Sequence, residues 1–230
     1  MSGPFTFAST VTLLGGGELP SGALEQALAR SPRLVAVDGG ADRALVAGVV
    51  PELVIGDLDS ISDAARARMA GRLVELPGQD DTDFDKTLDR VQAPILLALG
   101  FAGGRLDHSL AALSALMRRP DRRGGVLSTP DLCVLTPPRL VLDPPAGRRP
   151  SLYPPALPGC PSAGLVWPTD GLRLEPGGRL GTSNRVAGDG PVRLEPDRPG
   201  LLCLVLVAGL DALLAGLSAA PAWPGPARAR

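Results

Sequence analysis

The stretch "RLVAVDGGADRALVAGVVPELVIGD" (residues 33–57) contains the pattern that decides the fold. Two short apolar runs, each followed by Gly or Asp, flank a segment whose apolar residues recur at helical spacing. A strand, a helix and a second strand in this order predict two parallel strands joined by a crossover helix. The same alternation extends over residues 9–135. We therefore predict an α/β domain with an open, mostly parallel sheet and helices on both faces.

The sequence changes character after about residue 136. Prolines become frequent between 137 and 161, helical periodicity disappears, and short apolar runs alternate with Gly, Pro and Asp. This pattern is typical of antiparallel β structure. We predict an α/β domain over 1–130, a C-terminal antiparallel β-sandwich domain over 131–220 and a flexible tail over 221–230.

The composition argues against several classes of partner. The chain has 230 residues, 44% of them hydrophobic, and its 23 Lys and Arg nearly balance its 24 Asp and Glu. This balance provides no positive field for nonspecific binding to nucleic acid or to an anionic membrane. The longest apolar stretch, residues 201–210, is too short to cross a bilayer as a helix and is predicted to be a buried strand. From the balanced charge we expect no nucleic-acid or membrane partner. Because the N-terminus has no signal-peptide pattern, we expect a cytoplasmic protein.

The three cysteines, Cys133, Cys160 and Cys203, are far apart in the sequence and form no C-x-x-C motif. Neither a disulfide framework nor a zinc site is predicted. Since Cys133 and Cys203 have apolar neighbours in the sequence, we expect three inert thiols.

Acidic residues recur where predicted strands give way to helices. In an extended segment the side chains at positions i and i+2 share a face, so Asp57 and Asp59 are expected to converge on one point. In an open α/β sheet the carboxyl ends of the strands share one edge, which brings distant loops together. The acidic residues expected along this edge are Asp38, Asp57, Asp59, Asp83 and Asp107.

Some of these acidic residues also suit ordinary structural roles. Asp38 precedes two glycines and suits a turn, and Asp80 or Asp81 suits the cap of a helix predicted to begin near Thr82. Taken together, however, so many carboxylates at one edge repel one another unless a cation lies between them. We expect Mg²⁺, which takes one or two carboxylates and shares its remaining positions with water and phosphate oxygens.

Basic residues and glycines near the same edge suit a ligand that carries phosphate. Arg105 offers a fork of donors, and Lys86, which is the only lysine in the chain, offers a point charge. Glycines let backbone amides approach the same anion. The glycines in question are Gly39, Gly40, Gly103 and Gly104. A metal-assisted nucleotide or polyphosphate site is therefore predicted.

Five segments together resemble the thiamine pyrophosphokinase family. They are "DGGADRAL" (38–45), "PELVIGDLDSIS" (51–62), "QDDTDFDKTLD" (79–89), "LGFAGGRLDHSLAALSAL" (99–116) and "GLVWPTDGLRLEPGGRLGTSN" (164–184). The resemblance runs in order over roughly residues 35–207 and covers both predicted domains. It implies a homodimeric enzyme that transfers pyrophosphate from ATP to the hydroxyl group of thiamine with Mg²⁺, giving thiamine diphosphate and AMP.

The resemblance also implies roles for individual residues. Asp57, Asp59 and Asp83 match the acidic metal and nucleotide positions, and with Arg105 they are our candidate catalytic residues. Asp83 is the candidate acceptor for the proton of the thiamine hydroxyl. Neighbouring positions of the phosphate-binding cleft are matched by Asp38, Gln79, Thr82, Lys86, Arg105 and Asp107. The thiamine side is matched by Trp167, Ser183 and Asn184.

Several alternatives stay open at the level of sequence. Trp167 suits either a β-domain core or an aromatic face for the cationic thiazolium of thiamine. Ser183 and Asn184 suit either hydrogen bonds to the pyrimidine edge or a turn. His108, the only histidine, suits proton transfer or an incidental position on a helix surface. For the whole protein, the alternatives are a Mg²⁺-dependent nucleotide phosphohydrolase and a non-catalytic sensor of nucleotide or thiamine.

Overall fold

The structure is a computed structural model that describes residues 3–78, 80–128, 130–143, 149–156 and 158–225. The chain divides into two compact units. Unit 1 is Met1–Ala115 with Val126–Ser128, and unit 2 is Leu116–Gly125 with Thr129–Arg230. The domain bounds predicted from the sequence stay predictions, and residues 226–230 of the predicted tail lie outside the described residues.

Unit 1 alternates strands and helices. In chain order the elements are β1 (Phe5–Thr6), β2 (Val11–Leu14), α1 (Ala23–Leu28), β3 (Arg33–Val37), α2 (Gly40–Val46), β4 (Leu53–Gly56), α3 (Asp63–Arg68), β5 (Leu73–Glu75), α4 (Asp83–Arg90), β6 (Val91–Gln92), β7 (Leu96–Leu99) and α5 (Leu106–Arg118), followed by β8 (Gly124–Leu127). By the bounds above, unit 1 holds most of α5 and the second half of β8.

Five strands of unit 1 form a parallel sheet in the order β7-β2-β3-β4-β5. Val11 of β2 lies opposite Arg33 of β3 on one side and Leu96 of β7 on the other. Every residue of β2 and β7 is buried, as expected for a parallel sheet that is covered on both faces. The predicted α/β architecture with a mostly parallel sheet is confirmed.

The order of the strands creates a crevice at one edge of this sheet. From β2 the chain adds β3, β4 and β5 on one side and then returns to place β7 on the other side of β2. Ligands of open α/β sheets bind beyond the carboxyl ends of the strands near such a reversal. Gly15, Asp38 and Asp57 follow β2, β3 and β4 directly at this edge.

Unit 2 is built mainly from antiparallel strands. Its elements are β9 (Asp131–Leu135), β10 (Leu140–Leu142), β11 (Ser151–Tyr153), β12 (Ser162–Ala163), β13 (Val192–Leu194), β14 (Leu202–Leu206), a 3₁₀ helix (Val207–Gly209) and α6 (Leu210–Ala219). β14 pairs antiparallel with both β9 and β11, and β13 pairs antiparallel with both β10 and β12. Two antiparallel sets of strands agree with the predicted β-sandwich class.

One prediction for this unit is wrong in part. The apolar stretch over 201–210 was expected to be a single strand, but β14 ends at Leu206 and the chain continues into a 3₁₀ helix and α6. Leu210, Leu213 and Leu217 of α6 are buried, which is the three-to-four residue spacing of one helix face. Helical periodicity therefore returns in a region where we had expected none.

All three cysteines are free and buried, as predicted. Burial disfavours the thiolate, and it raises the pKa of Cys160 to about 11 and that of Cys133 to about 12. Burial also raises the pKa of Cys203. None of the helices in the described ranges is both long enough and apolar enough to span a bilayer.

Candidate active site

Asp57 and Asp59 lie in a tight loop beyond the end of β4. The strand ends at Gly56, and Leu58 between the two acids has a φ of 64°, in the left-handed region. Our reason for expecting convergence, an extended backbone over 57–59, was therefore wrong. Leu58 is 3% exposed and packs into an apolar cluster with Val54, Ile61 and other residues. With Leu58 turned inward, the two carboxylates stay at the surface of the sheet edge.

The carboxylates of this loop meet that of Asp38. One oxygen from each of Asp38, Asp57 and Asp59 lies within 4.8 Å of the others. Asp38 directly follows β3, has a φ of 47° and is 9% exposed. Its Oδ1 accepts a hydrogen bond from the Ser60 amide at 3.3 Å. Three hard oxygen donors at this spacing fit a divalent cation such as Mg²⁺.

Asp38 has an unusual electrostatic environment. Burial raises its pKa above the ordinary 3.8, the hydrogen bonds from Ser60 and the Gly39 amide partly offset this effect, and the negative charge of Asp83 adds to the rise. A buried carboxylate next to other acids is costly to ionise, and a bound cation would favour its charged form. The raised pKa of Asp38 thus follows from burial first and from the neighbouring negative charge second.

Asp83 and Lys86 contact the same loop from the start of α4. The amide of Asp57 donates to Oδ1 of Asp83 at 3.1 Å. Nζ of Lys86 lies 3.0 Å from the same oxygen and 3.8 Å from Oδ2 of Asp57. The Lys86 side chain is only 11% exposed, so these ion pairs are partly shielded from water. The three oxygens that converge come from Asp38, Asp57 and Asp59, whereas we had expected Asp57, Asp59 and Asp83.

Thr82 has a structural role that the sequence did not assign to it. It is the N-cap of α4, and its Oγ1 accepts from the Asp85 amide at 3.2 Å and donates to Oδ2 of Asp85 at 2.7 Å. The expectation that Asp80 or Asp81 caps this helix was therefore wrong. Gln79, the remaining predicted residue of this segment, lies outside the described residues.

Arg105 and Asp107 form a separate pair at the start of α5. Nε and Nη2 of Arg105 donate to the two oxygens of Asp107 at 3.1 and 2.6 Å. These hydrogen bonds lower the pKa of Asp107 to about 2. The His108 amide also donates to Asp107, at 3.0 Å. Within the described ranges, Asp107 does not join the cluster of Asp38 and its neighbours.

The glycines predicted at the site have different structural roles. Gly40 permits a close approach, because a Cβ atom there would lie 1.8 Å from the Leu14 carbonyl oxygen. Gly39 is the residue that precedes α2. Gly103 and Gly104 have positive φ angles of 102° and 67°, and open space surrounds both. Gly40 therefore permits the close packing of α2 against β2, whereas Gly103 and Gly104 shape an exposed loop.

Two features of the site escaped sequence analysis. Ser60 contacts two of the acids, since its amide donates to Asp38 and its hydroxyl donates to Asp59 at 2.8 Å. Gly17, in the run "GGG" after β2, donates from its amide to the Gly100 carbonyl at 3.0 Å. A serine one residue after the second acid and three glycines at a strand end were the available signals.

The predicted thiamine residues lie together in unit 2. Trp167 is 56% exposed, which excludes a core position. Its backbone carbonyl accepts from Nδ2 of Asn184 at 2.7 Å and its amide donates to Oδ1 of Asn184 at 3.3 Å. Asn184 itself is only 4% exposed. Ser183 has a φ of 57°, and its amide donates to Oγ of Ser151 at 3.0 Å.

A pocket opens beside Trp167. Arg179, Thr182 and Asn184 contribute to its lining together with several apolar residues of the same segment. Both polar atoms of the Asn184 side chain bond the Trp167 backbone, so Asn184 holds that backbone in position rather than offering both atoms to a ligand. The turn that the sequence left as an alternative for Ser183 is consistent with its positive φ.

The parallel sheet and the acidic cluster at its carboxyl edge place unit 1 in the class of α/β domains that bind ligands at strand ends. Residues 24–124 match the family "Thiamin pyrophosphokinase, catalytic domain". The matched segment, which is somewhat less than half of the chain, is therefore similar to the catalytic domain of that family.

Individual curated relatives are thiamin pyrophosphokinases by name. Thiamin pyrophosphokinase 1 of Caenorhabditis elegans is 34% identical over 106 residues, which cover 42% of this chain and 41% of the relative. Thiamine pyrophosphokinase 3 of rice (Oryza sativa subsp. japonica) is 30% identical over 169 residues, which cover 62% of this chain and 61% of the relative. The chain thus spans about two fifths to three fifths of the length of the curated relatives that it matches.

Solved structures share the fold over a larger part of the chain. The thiamin pyrophosphokinase of Candida albicans superposes with a TM-score of 0.74 over 86% of this chain and 89% of its own, at 16% identity. The yeast thiamin pyrophosphokinase gives a TM-score of 0.72 over 93% of both chains, at 17% identity. At these identities, the likeness establishes the fold.

Proposed function

We propose that this protein is a thiamine diphosphokinase, which transfers the terminal pyrophosphate of ATP to the hydroxyl oxygen of thiamine and releases AMP. The observation that carries the proposal is the convergence of Asp38, Asp57 and Asp59 within the segment that matches the family's catalytic domain. Such a cluster suits a Mg²⁺ ion that carries a polyphosphate.

The acidic cluster is the proposed metal site. Asp57 and Asp59 are the principal ligands that we assign, with Asp38 as the third oxygen donor of the group. Mg²⁺ held there would neutralise polyphosphate charge and hold the phosphorus in line for attack. Asp83, which we had placed among the ligands, is assigned a different role because Lys86 and the Asp57 amide already contact its Oδ1.

The chain's own residues account for the rest of the chemistry by positioning and charge. The thiamine oxygen attacks the β-phosphorus of ATP, the bond to the AMP oxygen breaks, and the hydroxyl proton leaves to a base. We assign that base to Asp83, with Oδ2 as the accepting atom. Lys86 and Arg105 offset phosphate charge, and Arg105 also pairs with Asp107.

The second substrate is assigned to the pocket beside Trp167 in unit 2. An exposed indole offers a flat aromatic surface of the kind that the rings of thiamine favour. Ser183 is adjacent to the pocket-lining residues Thr182 and Asn184. We further propose a homodimer and a cytoplasmic location. The basis of both proposals is the family resemblance.

The direct test is incubation of the purified protein with ATP, thiamine and Mg²⁺, with separation of the products by chromatography. We expect AMP and thiamine diphosphate in equal amounts and no product after chelation of the metal. Release of phosphate or pyrophosphate at a comparable rate without thiamine would identify a phosphohydrolase instead. Binding of both ligands without any turnover would identify a sensor.

A further inference from the structure

Arg185 lies over the indole of Trp167. Its guanidinium carbon is 5.6 Å from the centre of the ring, within the range of a cation–π interaction. Arg185 is exposed. Across the part of the chain that the structure describes, no carboxylate forms an ion pair with it. An arginine without an ion-pair partner among the described residues therefore lies on the exposed aromatic surface of unit 2.

The backbone fixes this pair of side chains relative to each other. The Arg185 amide donates to Oδ1 of Asn184 at 2.8 Å, and the same amide group of Asn184 bonds the Trp167 backbone on both sides. The Val166 amide donates to the Arg185 carbonyl at 2.8 Å. The buried side chain of Asn184 thus bonds the backbones of both Trp167 and Arg185. These bonds keep the two residues side by side, with the Arg185 guanidinium near the Trp167 ring.

This arrangement conflicts with simple recognition of a cation by Trp167. An aromatic face attracts a positive charge, but two cations on one face repel each other. A ligand with a positively charged ring must displace the guanidinium or bind against its field. A neutral flat ring of the same shape meets no such repulsion.

We propose that Arg185 is a selectivity residue, which lowers the affinity of the Trp167 surface for a cationic ring relative to a neutral ring of the same shape. This inference rests on the proposed function, since thiamine supplies the cationic thiazolium. It assigns to Arg185 a role in setting substrate affinity, without contact to the reacting atoms.

The test compares two ligands on the full chain in the presence of Mg²⁺. One is thiamine, and the other is its neutral isostere with a thiophene ring in place of the thiazolium. Dissociation constants are measured by titration calorimetry for the wild type and for Arg185→Gln. We expect the variant to bind thiamine about two- to fivefold more tightly, which is the size of the repulsion between two unit charges a few ångströms apart in water. Binding of the neutral isostere, which meets no such repulsion, should change less.

Two further variants separate stacking from other effects. Arg179 also lines the pocket, so Arg179→Gln removes a nearby charge from the lining and should change the ratio of the two affinities less than Arg185→Gln does. Arg185→Lys retains the charge and should retain most of the wild-type ratio. Circular dichroism and the unfolding midpoint confirm that each exposed substitution leaves the fold intact.

The outcomes distinguish this inference from the proposed function. Weaker thiamine binding by Arg185→Gln, an equal gain for both ligands, or an equal effect of Arg179→Gln would overturn the role of Arg185 alone. A wild-type protein that binds neither thiamine nor its isostere would overturn the proposed function and this inference with it.

Discussion

The amide of Asp57 donates a hydrogen bond to Oδ1 of Asp83, with donor and acceptor 3.1 Å apart. This bond joins the loop after β4 to the first residue of α4, although the two residues are 26 positions apart in the sequence. Lys86, one turn further along α4, contacts both carboxylates. The position of the acidic loop therefore depends on α4 as well as on the sheet.

Replacing Lys86 by Met should destabilise the protein. The change leaves two neighbouring, partly buried carboxylates without their cation, and we expect a loss of about 1–3 kcal/mol in the free energy of unfolding. Urea unfolding at neutral pH measures it. In the Asp83→Asn/Lys86→Met double variant the loss should be smaller than the sum of the two single losses. Strict additivity would show that the ion pair does not couple the two residues.

Replacing Asp57 or Asp59 by Asn should reduce turnover about 10²–10³-fold, because each change removes a charge aimed at the proposed metal and phosphate. The required Mg²⁺ concentration should rise at the same time. Steady-state rates over a series of Mg²⁺ concentrations measure both effects. Asp63→Asn is the matched control, since Asp63 is an exposed acid nearby at the start of α3, outside the cluster. A similar loss in that control would point to a general charge effect.

The pKa of Asp107 should rise from about 2 toward its ordinary value of 3.8 in Arg105→Gln, because the guanidinium no longer stabilises the carboxylate. In the native protein this lowered pKa favours the folded state above pH 3.8, and the contribution is lost as the pH falls toward about 2. An NMR titration of the side-chain carboxyl carbon follows the group directly. An unchanged midpoint would mean that the pair does not persist in solution.

The three thiols should resist modification in the folded protein. With pKa values raised to about 11 for Cys160 and about 12 for Cys133, almost no thiolate exists at pH 8, and all three side chains are buried. Reaction with a chromogenic disulfide reagent should be slow in buffer and should reach three thiols per chain in urea. Fast labelling of a thiol in buffer would contradict this burial.

Gly40→Ala should destabilise the protein by about 3 kcal/mol or more, because the new methyl group would collide with the Leu14 carbonyl and push α2 away from β2. Urea unfolding again provides the measurement. Gly190→Ala is the control, since a Cβ atom there meets nothing within 4 Å. Equal stability of the two variants would show that α2 shifts without cost.

The α/β part of the fold could be predicted because its strands are almost wholly apolar and are separated by helix-length segments. The antiparallel unit was harder. Local patterns identify strands such as β14 but not the point where β14 gives way to helix, since Leu and Ala suit both a buried strand and a buried helix. That end is decided by pairing with β9, which is a tertiary effect.

The sequence predicted which acidic residues lie at the site better than it predicted how their carboxylates are arranged. Asp38 and Asp57 follow strands directly, so their position at the sheet edge follows from topology. Asp38, and not Asp83, is the third converging carboxylate. Asp38 has a left-handed backbone, and the carboxylate of Asp83 instead contacts Lys86. Neither has a signature in the sequence. The stacking of Arg185 on Trp167 likewise depends on contacts between segments of the β unit.

The inward turn of Leu58 has a consequence for how this protein responds to temperature and solvent. A left-handed leucine costs about 1–3 kcal/mol, and burial of its side chain offsets a similar amount. The buried side chain of Leu58 thus maintains the spacing of the Asp57 and Asp59 carboxylates, although it is apolar and cannot itself bind a cation. Mild urea or cold, which weaken apolar contacts, should therefore reduce the affinity for the proposed cation before the molecule as a whole begins to unfold.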